Sequence, residues 1–258
     1  MEIAEDVRRY RTLRRLSQLE LALRAGTTQR HLSFIESGRS KPGRDVVLRI
    51  ATSLDLTLRQ RNTLLLRAGY APAYSEAPLD GDAVAPAMEA LGHILDGHLP
   101  YPAMIVDRYG DIVAANRAFT FLLAETPAAL RTNAYRAALH PQGMAARIDN
   151  FDVWAQHVLH NLDAALRLAP DERLAALRCE LAELVPASEP ASGLGFAVPL
   201  VLRTAVGTLR LMTTVSTFAT AVDVTLSELK LEAFLPADRT TTQRLARVQT
   251  AATTVDDD

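Results

Sequence analysis

Residues 17–42, SQLELALRAGTTQRHLSFIESGRSKP, constrain the fold most: two short amphipathic segments, each with a capping residue in front and a glycine behind. Ser17 stands where an N-cap belongs, and Glu20, three positions on, completes a capping box. Gly26 ends the first helix, because glycine enters the left-handed conformation at little cost. Thr27 or Thr28 caps the second, whose Leu32 and Ile35 face inward at i, i+3, and Gly38 ends it.

Two capped helices joined by a short glycine turn form a helix-turn-helix, whose second helix enters the DNA major groove with its N-terminal residues at base edges. Those residues are Thr28, Gln29 and Arg30. Glutamine bonds adenine N6/N7 in bidentate fashion and arginine does the same at guanine O6/N7. Ser33 and Phe34 share the exposed face one turn on, where Phe34 suits either a thymine methyl or the helix core. Around this motif the periodicity predicts five short helices over 5–70, with Val7, Tyr10, Val47, Ile50, Ala51 and Leu54 inward. Charge follows the same division. Residues 1–70 hold 14 Arg/Lys against 7 Asp/Glu, a net of +7, while the remainder carries −9. A basic head on an acidic body is the pattern of a nucleic-acid-binding module joined to something else.

The segment APAYSEAPLDGDAVAP (71–86) reads as a linker. Beyond it, AMIVD and DIVAA flank RYG as a hairpin, NRAFTFLLAE is a helix capped by Asn116, and 150–185 is helical. After the loop PASEPASGLG come three strand candidates, FAVPLVLR, GTLRLMTTVSTF and LSELKLEAFLP. The last alternates, with Leu229, Leu231, Ala233 and Leu235 opposite Glu228, Lys230 and Glu232. The order predicts an antiparallel five-stranded sheet with helices on one face. The chain thus divides into a DNA-binding head (1–70), a linker (71–86), an α+β domain (87–240) and an acidic C-terminal tail (241–258).

Several function classes find no support. The single cysteine, Cys179, allows no internal disulfide and reads as a small buried hydrophobe. No apolar run reaches the ~20 residues of a membrane span, and no GxGxxG, P-loop, GxSxG or HExxH motif occurs. His157 and His160, i, i+3 on a helix, lack further ligands for a metal and read as exposed. The chain is expected to be a cytoplasmic, nucleoid-associated bacterial protein and not an enzyme.

Residues 5–70 resemble the phage-repressor-type (XRE) helix-turn-helix family through Ser17, Gln18, Glu20, Leu21, Ala22, Gly26, Thr27, Thr28, Ile35, Glu36, Gly38 and Pro42. The resemblance implies phosphate contacts from Gln18 and Thr28, base contacts from Gln29 and Arg30, and flanking backbone contacts from Arg39, Lys41 and Arg44. Glu36 reads as a structural residue of the turn. The stretches IVDRYGDIVAANRA, NAYRAALHPQG, GTLRLMTTVSTF and DVTLSELKLEAFLPAD resemble the ligand-binding domain of the MmyB-like transcription regulators, which has a PAS-like sheet behind an XRE head. Leu139, Phe151, Ala219 and Ala221 depart from the residues common there.

That resemblance implies a small-molecule sensor, with a bound fatty acid as the candidate ligand and no required cofactor. Met104, Val106, Phe119, Leu123, Leu211 and Phe218 supply apolar lining, though each also suits plain core packing. Asn116, Arg117, His140, Arg147 and Asn150 are candidates for a carboxylate head, and each also fits a surface or capping role. One head covers a half-site, so the expected assembly is a homodimer on palindromic double-stranded DNA with half-sites about one helical turn (~34 Å) apart. The alternative is a regulator whose C-terminal domain binds a protein partner or only dimerises.

Overall fold

A computed structural model describes residues 2–186, 198–218 and 221–253. The chain divides into two compact units. One holds the residues up to Gly81 together with 221–227, and the other holds 82–218 and the residues from 228 on.

The first unit packs α1 (Glu2–Leu13), α2 (Gln18–Arg24), α3 (Gln29–Glu36), α4 (Arg44–Ser53) and α5 (Leu58–Arg67) around one core. Its caps follow the sequence closely. Ser17 accepts from the Glu20 amide while the Glu20 carboxylate accepts from the Ser17 amide, and Thr28 rather than Thr27 caps α3. Gly26 and Gly38 take φ of +60° and +72°, so each turn requires glycine. Val7 of α1, Leu21 of α2, Leu32 and Ile35 of α3, and Ile50 and Leu54 at α4 are buried together, which fixes how α3 is presented.

The second unit begins with α6 (Ala85–Gly97), then β1 (Ala103–Val106), β2 (Ile112–Ala115), α7 (Arg117–Leu122), α8 (Ala134–Leu139), α9 (Phe151–Leu168) and α10 (Glu172–Leu184). It ends with β3 (Leu200–Thr204), β4 (Gly207–Thr217), β5 (Lys230–Pro236) and α12 (Arg239–Thr253). The strands form the expected antiparallel five-stranded sheet, and its order is β2-β1-β5-β4-β3. The last strand in sequence therefore lies at the centre, between β1 and β4. All four residues of β1 are buried, so cover is not confined to one face of the sheet there. Side chains of α7–α10 pack on the sheet in a core that includes Phe119, Leu139, Leu162, Leu209 and Phe234.

Residues 239–253 are helical, so most of the segment expected as a tail forms α12, which packs on β4 and β5. Asp238 starts it, accepting from the Thr241 amide at 2.7 Å, and the Thr241 hydroxyl accepts from the Arg210 amide at 3.0 Å. Cys179 is exposed on α10, contrary to its reading as a buried hydrophobe, because Leu174, Leu177 and Leu181 hold the inward face of that helix. The loop expected at 186–195 and Ala219 fall outside the described residues, apart from Pro186.

Between β4 and β5 the chain makes a short helix, α11 (Val224–Ser227), that belongs to the first unit. Asp223 accepts from the Ala77 amide at 3.0 Å, Val224 donates its amide to the Ser75 carbonyl at 2.8 Å, and Thr225 donates its hydroxyl to the Ala77 carbonyl at 2.7 Å. Residues 73 and 74 are also held, with both amides donating to the Asn62 side chain of α5. Much of the expected linker is therefore hydrogen-bonded within the head unit.

Candidate functional site

On the head, α3 turns Thr28, Gln29 and Arg30 to solvent, with Ser33 and Phe34 half-buried on the next turn. The Arg30 guanidinium lies 5.4 Å from the centre of the Phe34 ring, so the two side chains support one another. Thr28 uses its hydroxyl oxygen to accept from the His31 amide, which leaves the hydroxyl proton available to a phosphate oxygen. Arg39, Lys41 and Arg44 are exposed beyond the end of α3. The Lys41 ammonium stands 5.5 Å over the Tyr70 ring, and the Tyr70 hydroxyl donates to the Pro42 carbonyl at 3.1 Å. The nine residues assigned to DNA by the sequence are thus placed on α3, on its flanking turn and at the start of α2 and α4.

Glu36 explains how an acid is tolerated there. Arg11 donates from Nε to Oε1 at 2.6 Å and from Nη2 to Oε2 at 2.9 Å, and Gln18 donates its amide to Oε2 at 2.8 Å. The carboxylate side chain is only 4% exposed, and its hydrogen bond holds Arg11 above the ordinary guanidinium range, against the opposing effect of burial. One buried ion pair therefore ties α1, α2 and α3 together and keeps the carboxylate paired and out of solvent. Gln18, read as a phosphate contact, has its amide nitrogen engaged by this pair.

The second unit encloses a cavity of about 290 Å3 between the sheet and the helices α7–α10. That is close to the lower end of small-molecule sites, which begin at roughly 300 Å3. Met104 from β1, Thr213 and Val215 from β4, and Lys230, Glu232 and Phe234 from β5 form its floor. Phe119 stacks on Phe234 with ring centres 5.5 Å apart. One stripe of α9, Trp154, His157, Val158, Asn161, Leu162 and Ala165, forms a wall, completed by Leu122, Ala134, Tyr135, Ala138, Met144 and Leu174.

Of the eleven residues the sequence offered for a ligand, Met104 and Phe119 line this cavity. Val106, Leu123 and Leu211 are buried in the core without lining it, and Phe218 lies one residue past β4. The polar candidates serve the backbone. Asn116 caps α7 and bridges β1 to two further carbonyls, Arg147 donates to the Leu122 carbonyl, Asn150 pairs with Pro199 and Val201, and His140 accepts from the Gln142 amide. Arg117 borders a separate apolar depression with Phe121 and Leu245. His157, expected as an exposed helical residue, is half-buried and faces the cavity. The α9 stripe repeats at helical spacing and could have been read as a single inward face; the acid on β5 could not.

The cavity's polar groups are few. Arg108 is held by Glu228 at 3.0 Å and by Asp171. Burial pushes the Glu232 carboxyl above the usual carboxylate range, with Lys230 pulling only partly the other way. Burial and then the charges of Glu232 and Asp107 drive the Tyr135 hydroxyl well above the ordinary phenol range. Among the described residues no three His, Cys, Asp or Glu side chains gather as a metal site, and no helix is long and apolar enough to cross a membrane.

Comparison with known proteins agrees with this division. A helix-turn-helix family model matches residues 7–60, and the model of the MmyB-like transcription regulator ligand binding domain matches 87–248. An uncharacterized HTH-type transcriptional regulator of Sinorhizobium fredii is 39% identical over 56 residues, which is 22% of this chain and 29% of that relative. The chain thus spans less than a third of that relative's length. The second family match takes in more than half of the chain, which belongs to the MmyB-like transcription regulators and carries their ligand-binding domain behind a helix-turn-helix head.

Proposed function

We propose that this protein binds a palindromic operator as a homodimer, reads bases with Gln29 and Arg30, and changes its hold on DNA when a small apolar molecule fills the cavity. The observation that carries this reading is the pairing in one chain of an exposed α3 N-terminus, flanked by the exposed cations Arg39, Lys41 and Arg44, with a partly enclosed, mostly apolar cavity. Thr28, Gln18, Arg39, Lys41 and Arg44 would supply phosphate contacts, so affinity falls steeply with salt. A ligand shifts the regulator only as far as it binds two arrangements of the dimer differently. A fatty acid is the first compound to try, since the resemblance implies one and its chain suits the Met104, Phe119, Leu162 and Phe234 lining.

Two substitutions test the head. Arg30→Ala relaxes sequence preference, at a cost of ~1–3 kcal/mol on the preferred operator, whereas Lys41→Ala weakens all sequences alike and lowers the salt slope by about one. Fluorescence anisotropy against operator and scrambled duplexes measures both; equal losses on the two duplexes for Arg30→Ala would rule out base reading. For the cavity, native mass spectrometry of gently purified protein and thermal shifts with added fatty acids decide. No adduct and no shift would favour a C-terminal domain that binds a protein partner.

A further inference from the structure

Three residues of β5, Lys230, Glu232 and Phe234, alternate onto the cavity side, and they grade from charged to apolar along the strand. Lys230 stands at one end, opposite Val106, the last residue of β1, with Arg108 two residues beyond. Phe234 lies four residues on, about 13 Å away at ~3.3 Å per residue, and is buried against Phe119. Leu122, Met144 and Leu200 of the same lining are buried too, whereas Lys230 is half-buried, so the cavity side of β5 runs from a partly wet end to a dry one. The basic side chains on this lining are not equivalent. Arg108 is committed to Asp171 and Glu228, and the His157 ring is engaged by Asn161. Among the described residues Lys230 makes no hydrogen bond or ion pair, and its charge reaches only Glu232, two residues along the strand. An ammonium drawn partly out of water is costly unless an acceptor or an opposite charge comes close.

We propose that Lys230 anchors the head of the ligand: a single-tailed amphiphile pairs one carboxylate with the Lys230 ammonium and runs its tail along β5 to Phe119 and Phe234. The inference rests on the ligand-sensing reading and deepens it, naming the residue that selects the head and the direction in which the tail lies. One uncommitted cation matches one negative charge, and a charge-assisted hydrogen bond partly screened from water is of the strong kind. An amine head would set a second cation against Lys230, and an alcohol would leave its charge unmatched. Glu232, next along the strand, opposes an anion less than an exposed acid would, because burial favours its protonated form. The residues with which the sequence would have held a carboxylate serve the backbone or lie outside the cavity, which leaves Lys230 to do so.

The test uses the full chain and two probes of equal length, decanoate and 1-decanol, below their micellar concentrations. Affinity is measured by calorimetry and by thermal shift. Decanoate should bind the unaltered protein about tenfold more tightly than 1-decanol, the difference made by one charge-assisted hydrogen bond. Lys230→Met, which keeps an apolar stem and drops the charge, should bring decanoate down to the level of 1-decanol and leave 1-decanol unchanged. Lys230→Arg should keep the preference. Should Lys230→Met not fold, Lys230→Gln carries the same comparison. Equal affinity for the two probes in the unaltered protein, an untouched decanoate affinity in Lys230→Met, or a parallel loss of both probes there overturns the anchor while leaving the sensing reading intact. If neither probe binds the unaltered protein, the sensing reading falls and the anchor with it.

Discussion

At the scale of single residues, Glu232 links stability to pH with a definite sign. Burial raises its carboxyl in the folded chain, so between the unfolded and folded values the native state holds the extra proton. Stability is therefore fully present below the unfolded value and is lost as pH rises through the folded one. Glu232→Gln cannot ionise and should show a shallower loss. It should match the unaltered protein at low pH and exceed it at neutral pH. Urea midpoints across a pH series read this, and an identical slope in the two proteins would refute it. Asp107, also raised by burial against the amides of Asp111 and Tyr109, keeps part of the slope in both. Glu36 is the opposite design: its three donors come from two helices, so the charge is carried buried and paired.

At the scale of elements, Asn116 shows what a side chain can do for several segments at once. Its oxygen accepts from the Ala103 amide at 3.1 Å and the Phe119 amide at 3.0 Å, and its nitrogen donates to the Leu95 and Tyr101 carbonyls at 3.1 and 2.9 Å. Asn116→Ala orphans groups from α6, β1 and α7 together and should cost on the order of 3 kcal/mol, read by chemical denaturation. Because Asn116 does not line the cavity, the affinity of folded protein for an added fatty acid should stay the same; a selective loss of binding would make it a ligand residue after all. The helices were readable because caps and periodicity are local: Ser17, Glu20, Thr28 and Gly38 act within a turn. The cavity was not, because an apolar residue facing a void and one facing a neighbour obey the same spacing. Met104 and Val106 share a face by alternation, yet the pairing with β2 slips between Ile105 and Val106, and only Met104 reaches the cavity. The inward turn of Lys230 and Glu232 likewise depends on β5 lying between β1 and β4, a long-range arrangement that leaves no trace in the strand itself.

At the scale of the whole molecule, the sequence suggests beads on a string, but the short helix α11 contradicts that order. The head unit takes in a piece of chain encoded more than a hundred residues downstream, held by Asp223, Val224 and Thr225 to Ser75 and Ala77. A fragment ending at Gly81 contains every residue of the helix-turn-helix yet lacks those bonds, and it should melt several degrees below the head within the full chain. Asp223→Ala in the full chain should speed amide exchange at Ala77; unchanged protection there would count against the tie. This head therefore cannot be exchanged as a cassette by a single cut. A chimera that grafts it onto another sensor would have to bring along the loop between β4 and β5, so recombination that shuffles heads among such regulators has to keep or rebuild two separate stretches of gene.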